Sequence, residues 1–172
     1  RNQKTPVVSN DILVITQKIV SKSEGRLVCL SQITPSSRAR RVAKSTEKDP
    51  RLVEVILREA RRIVRMNRGV IITETHHGFK CANSGVDSSN VGVPDEDIVA
   101  LLPENPDASA IAIQRDVAKI EGIDVGVIIS DTFGRPWREG AINVAIGAAG
   151  LEPLLDYRGT LDNEGRELQS TV

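Results

Sequence analysis

The apolar run Val-Gly-Val-Ile-Ile-Ser at residues 125–130 constrains the fold more than any other stretch of this sequence. Its β-branched side chains predict a buried strand, and a buried strand needs partner strands along its edges. The apolar character stops at Asp131, and Thr132 follows directly. A carboxylate and a hydroxyl at the end of such a strand suit a metal–phosphate site. The common alternative is a turn in which Asp131 caps its own backbone.

The remaining sequence predicts a mixed β-sheet with flanking helices, an α+β fold, because helical and strand patterns alternate imperfectly. Further strands are predicted at residues 11–20, 26–30, 69–75, 97–102 and 141–151, the last with a close backbone approach at a glycine. Residues 21–25 are predicted to form a polar turn, and residues 81–90 a polar loop. Three helices are predicted: 34–45 with Thr34 as N-cap, a helix from Asp49-Pro50 with apolar spacing through Val64, and 106–120 with Asp107 as N-cap.

Composition excludes several classes of partner. The chain has 172 residues, a formal net charge of zero and 2% aromatic residues, which argues against nucleic-acid binding. Neither a signal peptide nor an apolar run of membrane-spanning length is present in the sequence, so no membrane partner is expected. Cys29 and Cys81 are far apart and suit a reducing cytoplasm. We expect one domain over residues 1–172, incomplete at both ends.

Several polar residues are candidates for a phosphate or metal site. Asp87 lies in a polar loop and could meet Asp131 in space, although an Asx-turn is the ordinary interpretation. Two carboxylates and the Thr132 hydroxyl suit Mg²⁺ or Mn²⁺ and do not suit zinc. Lys22 follows a predicted buried strand and could bind phosphate, but a surface lysine in a turn is the alternative. Neither a P-loop nor a Gly-x-Gly-x-x-Gly signature is present.

Arginines and histidines give further signals. Arg135 and Arg138 follow Thr132 within one loop, and guanidinium groups suit oxyanions, which favours the anion-site interpretation of this region. The arginines of the second predicted helix could grip an anion, but a solvated helix face is the favoured interpretation; they are Arg58, Arg61, Arg62 and Arg65. Adjacent strand residues point to opposite faces, so His76 and His77 predict one structural and one exposed ring.

These segments together resemble the coenzyme F420-0:L-glutamate ligases, also called F420-0:γ-glutamyl ligases. The resemblance covers nearly all of residues 11–172, and its motifs occur in the family's order. The matching segments are 15–26, His-Gly-Phe at 77–79, Cys-Ala-Asn-Ser-Gly-Val-Asp-Ser-Ser-Asn-Val at 81–91, Leu-Leu-Pro at 101–103, Ile-Ser-Asp-Thr-Phe-Gly-Arg-Pro-Trp-Arg at 129–138, and 159–168.

The resemblance implies a reaction and its cofactors. Family members join L-glutamate to the terminal carboxylate of coenzyme F420-0 and add further glutamates by γ-links, using GTP and Mg²⁺ or Mn²⁺, with K⁺ as a further candidate ion. An acyl phosphate is the implied intermediate, so catalysis would consist mainly of positioning and charge neutralisation. The family fold is an intertwined homodimer, so a homodimer is implied here.

The resemblance also implies roles for individual residues. Asp87, Asp131 and Thr132 match the metal ligands. Gln17, Lys18, Lys22 and Asn90 match nucleotide-binding positions, whereas Arg135 and Arg138 are assigned only an anion-binding role. Family members usually carry an earlier segment before the first strand and a later segment after residues 167–168, and both contribute contacts to the site. The site in these 172 residues is therefore expected to be incomplete.

Two other hypotheses remain open on the sequence. The chain could be a non-catalytic metal–nucleotide module that forms one half of a larger fused enzyme. It could also be a nucleic-acid binder that uses its arginine-rich helix, although the zero net charge and few aromatic residues argue against that.

Overall fold

The computed structural model describes residues 6–89, 91, 97–134 and 140–169. The elements are β1 (Ile12–Thr16), α1 (Gln17–Ser23), β2 (Leu27–Cys29), α2 (Ser37–Thr46), α3 (Pro50–Glu59), β3 (Ala60–Asn67), β4 (Val70–Thr75), β5 (Lys80–Ala82), β6 (Ile98–Ala100), α4 (Pro106–Glu121), β7 (Gly126–Gly134) and β8 (Ala141–Ala149). In these described ranges, four α-helices combine with three small sheets in which all strand pairs but β1–β7 are antiparallel, so the α+β prediction is confirmed.

A mixed sheet carries β7 at its centre. In the order β1-β7-β8, β7 pairs in parallel with β1 and antiparallel with β8. The predicted end of β7 was wrong, because the strand continues through Gly134 and pairs with β8 along that extension. Asp131 therefore lies inside a strand, opposite Val144, and the alternative of a turn cap is wrong. Partner β8 supplies the ladder bonds that keep these polar residues extended.

The first predicted strand was too long. β1 ends at Thr16, and α1 begins at Gln17 without an intervening loop. The residues of α1 that are buried are Gln17, Val20 and Ser21, which are spaced as one face of a helix. The apolar run Ile19-Val20 thus belongs to a helix, and Lys22 lies in its last turn instead of in a polar turn.

Helix α3 also ends earlier than predicted. Its start is confirmed, because the Asp49 side chain accepts a hydrogen bond from the Arg51 backbone N–H at 2.7 Å and Pro50 occupies the first turn. The chain then becomes β3 at Ala60 and pairs antiparallel with β4. Arg62 on β3 forms a 2.7 Å ion pair with Glu74 across the two strands. The arginine-rich helix of the nucleic-acid hypothesis is therefore not formed.

Two other helix caps differ from the predicted ones. Ser36, and not Thr34, caps α2 by accepting from the Ala39 N–H at 3.1 Å. Asn105 caps α4, whereas the Asp107 carboxylate accepts from the Ala148 N–H of β8 at 2.9 Å. The strand predicted at residues 141–151 is present as β8 but ends at Ala149. Its predicted close approach is confirmed, because a Cβ at Gly147 would lie 2.4 Å from the Pro106 carbonyl carbon.

Two hydrophobic cores hold these elements. The α2–α3 core joins those helices to β4, β6 and the turn before Asp87, and includes the buried residues Val42, Val53, Ile56, Ile71, Val86 and Val99. The α4 core lies between that helix and the mixed sheet, and includes Leu102, Ala110, Val127, Ile129, Ile146 and Ala149. Among the described residues, no helix has both the length and the apolar composition that crossing a bilayer requires.

Candidate active site

An ion pair between α1 and the segment after β5 marks the candidate site. The Lys18 ammonium lies 2.7 Å from the Asp87 carboxylate, 2.7 Å from the Ser89 carbonyl oxygen and 3.1 Å from the Ser89 hydroxyl. Ser89 in turn donates both its backbone N–H and its hydroxyl to Asp87 Oδ1, each at 2.7 Å. The predicted Asx-turn at Asp87 is therefore present, and the same carboxylate also faces a cation.

The backbone of Asp87 is fixed by its neighbours. Its N–H donates to the Ala100 carbonyl at 3.0 Å, and the Ala100 N–H donates back at 2.8 Å. A one-turn 3-10 helix at residues 83–85 precedes it, in which the buried Ser84 hydroxyl donates to the Ile56 carbonyl at 2.9 Å. Val86 is buried in the α2–α3 core. The predicted polar loop is thus a strand, a tight turn and a bridge that hold Asp87 in place.

Asp131 reaches the same region from the mixed sheet. Burial raises the pKa of the Asp131 carboxyl, and the negative charge of Asp87 raises it further. The Thr132 backbone N–H and the Lys18 ammonium act in the opposite direction. Because charge–charge interactions of this kind fall off with distance, the two carboxylates and the ammonium lie in one electrostatic neighbourhood. The two aspartates that the sequence singles out are thus coupled electrostatically, and their sharing of one metal ion stays a prediction.

The two aspartates differ in their electrostatics. Burial alone would raise the pKa of Asp87, but hydrogen bonds from Lys18 and Ser89 outweigh it, and the pKa is lowered. Asp87 is therefore an ionised, paired carboxylate, whereas Asp131 is less solvated and its charge is poorly compensated. The Cys81 thiol responds to the same field: burial and then the Asp131 charge raise its pKa to about 11, against a hydrogen bond from the Gly85 backbone. A positive ion placed between the aspartates would relieve this repulsion.

Thr132 presents its hydroxyl on the other face of β7. Consecutive strand residues alternate between faces, and the Thr132 hydroxyl donates to Asn143 Oδ1 across the β7–β8 ladder at 2.9 Å. Asp131 is half-buried and Thr132 exposed, which agrees with this alternation. The hydroxyl thus lies apart from the Asp131 carboxylate, and its role as a metal ligand stays a prediction.

The predicted nucleotide-binding residues lie in different environments. Gln17 is 1% exposed and accepts a hydrogen bond from Ser21 within α1, so its side chain is turned inward. Lys18 is in the site, and Lys22 is exposed in the last turn of α1. Asn90 lies outside the described residues, as do both predicted anion-binding arginines, Arg135 and Arg138.

The oxygen-rich donors of the site suit a small hard cation. No cluster of three or more His, Cys, Asp or Glu side chains that could hold a metal occurs among the described residues. Asp87 and Asp131 nevertheless provide two carboxylates, one of them poorly compensated. Mg²⁺ is usually bound by one or two carboxylates together with substrate phosphates and water, so two are sufficient when a nucleotide supplies the rest. The donor set therefore fits Mg²⁺ or Mn²⁺.

Two features of this region were not foreseen from the sequence. Ser89 connects the cation to the carboxylate, and Lys18 contacts a segment 71 residues away. A Ser two residues after Asp is a local turn signal, but it does not indicate a lysine partner. The histidines follow the prediction: the half-buried His77 donates to the Pro103 and Glu104 carbonyls at 2.9 and 3.0 Å, and His76 is exposed.

Comparison with known proteins agrees with the resemblance. A family model described as F420-0:Gamma-glutamyl ligase matches residues 1–172. The chain is 48% identical over 166 residues to the coenzyme F420:L-glutamate ligase of Methanocaldococcus jannaschii. The aligned residues make up 96% of this chain and 65% of that protein. The chain is also 52% identical over 162 residues to the ligase of the same name from Methanopyrus kandleri, covering 94% and 63%. The chain thus spans less than two thirds of the length of these relatives.

Proposed function

The chain belongs to the F420-0:gamma-glutamyl ligase family, and from this premise we propose that its protein ligates L-glutamate to the terminal carboxylate of coenzyme F420-0 and then adds γ-linked glutamates at the expense of GTP. The observation that carries the proposal is the Lys18–Asp87 ion pair, whose two charges also act on the Asp131 carboxyl. The resemblance matches these three positions to nucleotide and metal ligands.

The proposed reaction has two steps. A carboxylate oxygen of the coenzyme attacks the γ-phosphorus of GTP, and GDP leaves, which gives an acyl phosphate. The glutamate amine then attacks the acyl carbon, inorganic phosphate leaves, and the nitrogen loses its proton as the amide forms. A bound Mg²⁺ or Mn²⁺ would neutralise phosphate charge, and K⁺ is a further candidate ion.

The protein's own residues would act mainly by position and charge. Asp87 and Asp131 would hold the divalent cation from two different elements. Thr132, whose hydroxyl lies on the other face of β7, stays a predicted third ligand. Lys18 and Lys22, on one short helix, would bind phosphate oxygens, with Asn90 as a further nucleotide contact. The buried Gln17 would support α1 from inside and not touch the nucleotide with its side chain. Orientation of reacting groups supplies much of the rate in such reactions.

A homodimer and a cytoplasmic location complete the proposal. Exposed apolar side chains on β1 and on residues 154–161 support an interface, since oligomers bury such surface; they include Ile12, Val14, Leu154, Leu155 and Leu161. Light scattering on the purified whole protein should give twice the mass of one chain. We take residues 1–172 as part of a single ligase-like domain.

The activity is tested directly with the whole protein. Incubation with GTP, Mn²⁺ or Mg²⁺, L-glutamate and coenzyme F420-0 should give a product heavier by one glutamyl residue in mass spectrometry, together with GDP and phosphate. A folded protein that binds GTP yet forms no product at saturating substrate would contradict the ligase and support the non-catalytic metal–nucleotide module.

The metal site is tested by Asp131→Asn. The change keeps the shape of the side chain but removes one of the two charges that would hold the ion, so Mn²⁺-dependent GTP binding should weaken at least tenfold, about 1.4 kcal/mol. Isothermal titration with and without Mn²⁺ measures this. Asp116→Asn, at an exposed position of α4, is the matched control and should bind normally. Equal binding by both variants would remove Asp131 from the site.

A further inference from the structure

We propose that Lys18 is a displaceable internal cation: its ammonium neutralises Asp87 while the metal position is empty, and a divalent ion releases it toward the nucleotide phosphates. The inference rests on the proposed metal-dependent function. It assigns Lys18 two successive partners, a carboxylate and a phosphate, in place of a permanent role with either one.

The ammonium is fully engaged by protein groups. A lysine ammonium has three N–H donors, and Lys18 has three acceptors: Asp87 Oδ2 and the Ser89 carbonyl at 2.7 Å, and the Ser89 hydroxyl at 3.1 Å. Its side chain is only 22% exposed. An ammonium in this state is not free to meet an arriving phosphate, so nucleotide contact requires that at least one of these bonds be given up.

The charges of the site determine which ligand can displace the Lys18 ammonium from Asp87. With Lys18 present, one positive charge faces the carboxylates of Asp87 and Asp131. A divalent ion on those carboxylates would stand close to the ammonium that contacts the same Asp87 carboxylate, and like charges at such distances repel strongly. The ion would be attracted by both carboxylates, whereas the ammonium forms an ion pair with the Asp87 carboxylate and otherwise contacts only neutral groups of Ser89. The ammonium therefore leaves Asp87 and can pair with a phosphate.

This exchange makes metal and nucleotide binding cooperative. The affinity for the metal ion is lowered because the ion must displace the ammonium from Asp87. A phosphate that pairs with the displaced ammonium reduces the free-energy cost of this displacement. By thermodynamic reciprocity, nucleotide should strengthen metal binding by the same factor by which metal strengthens nucleotide binding. If Lys18 merely positioned Asp87 for the metal, the opposite result would be expected. Removal of the lysine would then make the Asp87 carboxylate less ordered and lower the affinity for the metal ion.

The decisive measurement is Mn²⁺ binding without nucleotide. Titration calorimetry or Mn²⁺ paramagnetic resonance on the whole protein should show that Lys18→Met binds Mn²⁺ about tenfold more tightly than the unmodified protein, since the competing charge is gone. Lys18→Arg keeps the charge and should show no such gain. Lys80→Met removes a positive charge from an exposed position of β5 and controls for the general field, with a change of less than about twofold.

The second measurement is the coupling to GTP. In the unmodified protein, a saturating concentration of GTP should lower the Kd for Mn²⁺, and this factor should shrink several-fold in Lys18→Met even though the ion alone binds more tightly. A gain in one quantity with a loss in the other cannot come from misfolding, which would weaken both. Circular dichroism confirms that each variant is folded.

The outcomes separate the two proposals. Weaker or unchanged Mn²⁺ binding in Lys18→Met overturns the exchange and leaves the metal site intact. If the unmodified protein binds Mn²⁺ no better than Asp131→Asn does, with or without GTP, the metal site of the proposed function is wrong, and the exchange is overturned with it. Tighter Mn²⁺ binding together with reduced coupling supports the exchange.

Discussion

Ser89 forms hydrogen bonds with both charged groups of the Lys18–Asp87 ion pair. It donates two hydrogen bonds to Asp87 and accepts two from Lys18. Its hydroxyl can do both because an O–H group donates once and accepts at its lone pairs. The neutral, exposed Ser89 side chain thus influences the strength of the ion pair through hydrogen bonds to both partners, without being a proposed metal ligand.

The hydroxyl contribution can be measured with Ser89→Ala. The variant keeps both backbone contacts and loses one donor to Asp87, so the pKa of Asp87 should rise toward its ordinary value. Stability should fall by about 1 kcal/mol or less, since the site is partly exposed. Carboxyl NMR titration measures the pKa, and urea unfolding measures stability.

Ser88→Ala is the matched control for that experiment. It removes a neighbouring exposed hydroxyl and should leave the Asp87 titration in place. An Asp87 pKa that does not move in Ser89→Ala would mean that the backbone N–H and Lys18 alone set it.

At the scale of elements, helix starts illustrate how a single side chain fixes a boundary. Asp49 accepts the Arg51 N–H at 2.7 Å and also pairs with the Arg51 guanidinium at 2.6 Å. The Arg51 side-chain hydrogen bond is the first cause of its lowered pKa, and its backbone bond adds to it. The cap and the ion pair require the ionised carboxylate, which makes the start of α3 dependent on pH.

Asp49→Ala should therefore destabilise the protein by about 1 kcal/mol at neutral pH. The folded pKa is below the unfolded value of 3.8, so the stabilisation is present above that value and is lost as the pH falls through the folded pKa. Thermal melts from pH 7 to pH 2.5 should show the difference between the variant and the parent shrinking at the acid end.

Thr34→Ala offers a control of the same kind. Thr34 was the predicted cap of α2, but Ser36 performs that function, so the variant should melt like the parent at every pH. A constant Asp49→Ala deficit down to pH 2.5 would show that the cap acts without its charge.

Short sequence patterns predicted those helices and strands that adjacent residues are sufficient to determine. The Asp49-Pro50 start, the short strand at residues 27–29 and the strand at residues 141–149 all follow from a few adjacent residues. The change from α3 to β3 does not, because apolar residues through Val64 suit a helix and only the antiparallel partner β4 favours a strand. The end of β7 was missed for the same reason, since β8 continues the ladder.

The candidate site likewise has features that the sequence suggests and features that depend on packing. The carboxylates were suggested by strand ends and polar loops and given roles by the family resemblance. Their electrostatic coupling depends on how β7 and the segment after β5 pack, which no spacing in the sequence encodes. The inward side chain of Gln17 also depends on packing, because it is fixed by the face that α1 buries.

At the scale of the whole molecule, ligand binding should stabilise both cores together. A Mn²⁺–GTP complex at 100 times its Kd adds about 2.7 kcal/mol to the folded state, which corresponds to a rise in Tm of roughly 5–10 °C for a chain of this size. Differential scanning fluorimetry of the whole protein measures it. Asp131→Asn should lose most of this rise, and a full rise in that variant would argue against the two-aspartate site.

The two aspartates are carried by different cores. Asp87 follows Val86 of the α2–α3 core, and Asp131 lies two residues after Ile129 of the α4 core. The proposed ion, bound by both aspartates, would act as a removable cross-link between the two cores, and its affinity would depend on how those cores pack against each other. A core substitution that shifts either aspartate should therefore weaken metal binding in addition to lowering stability. A variant library screened for metal affinity would therefore identify residues at the contact between the two cores as well as residues of the site.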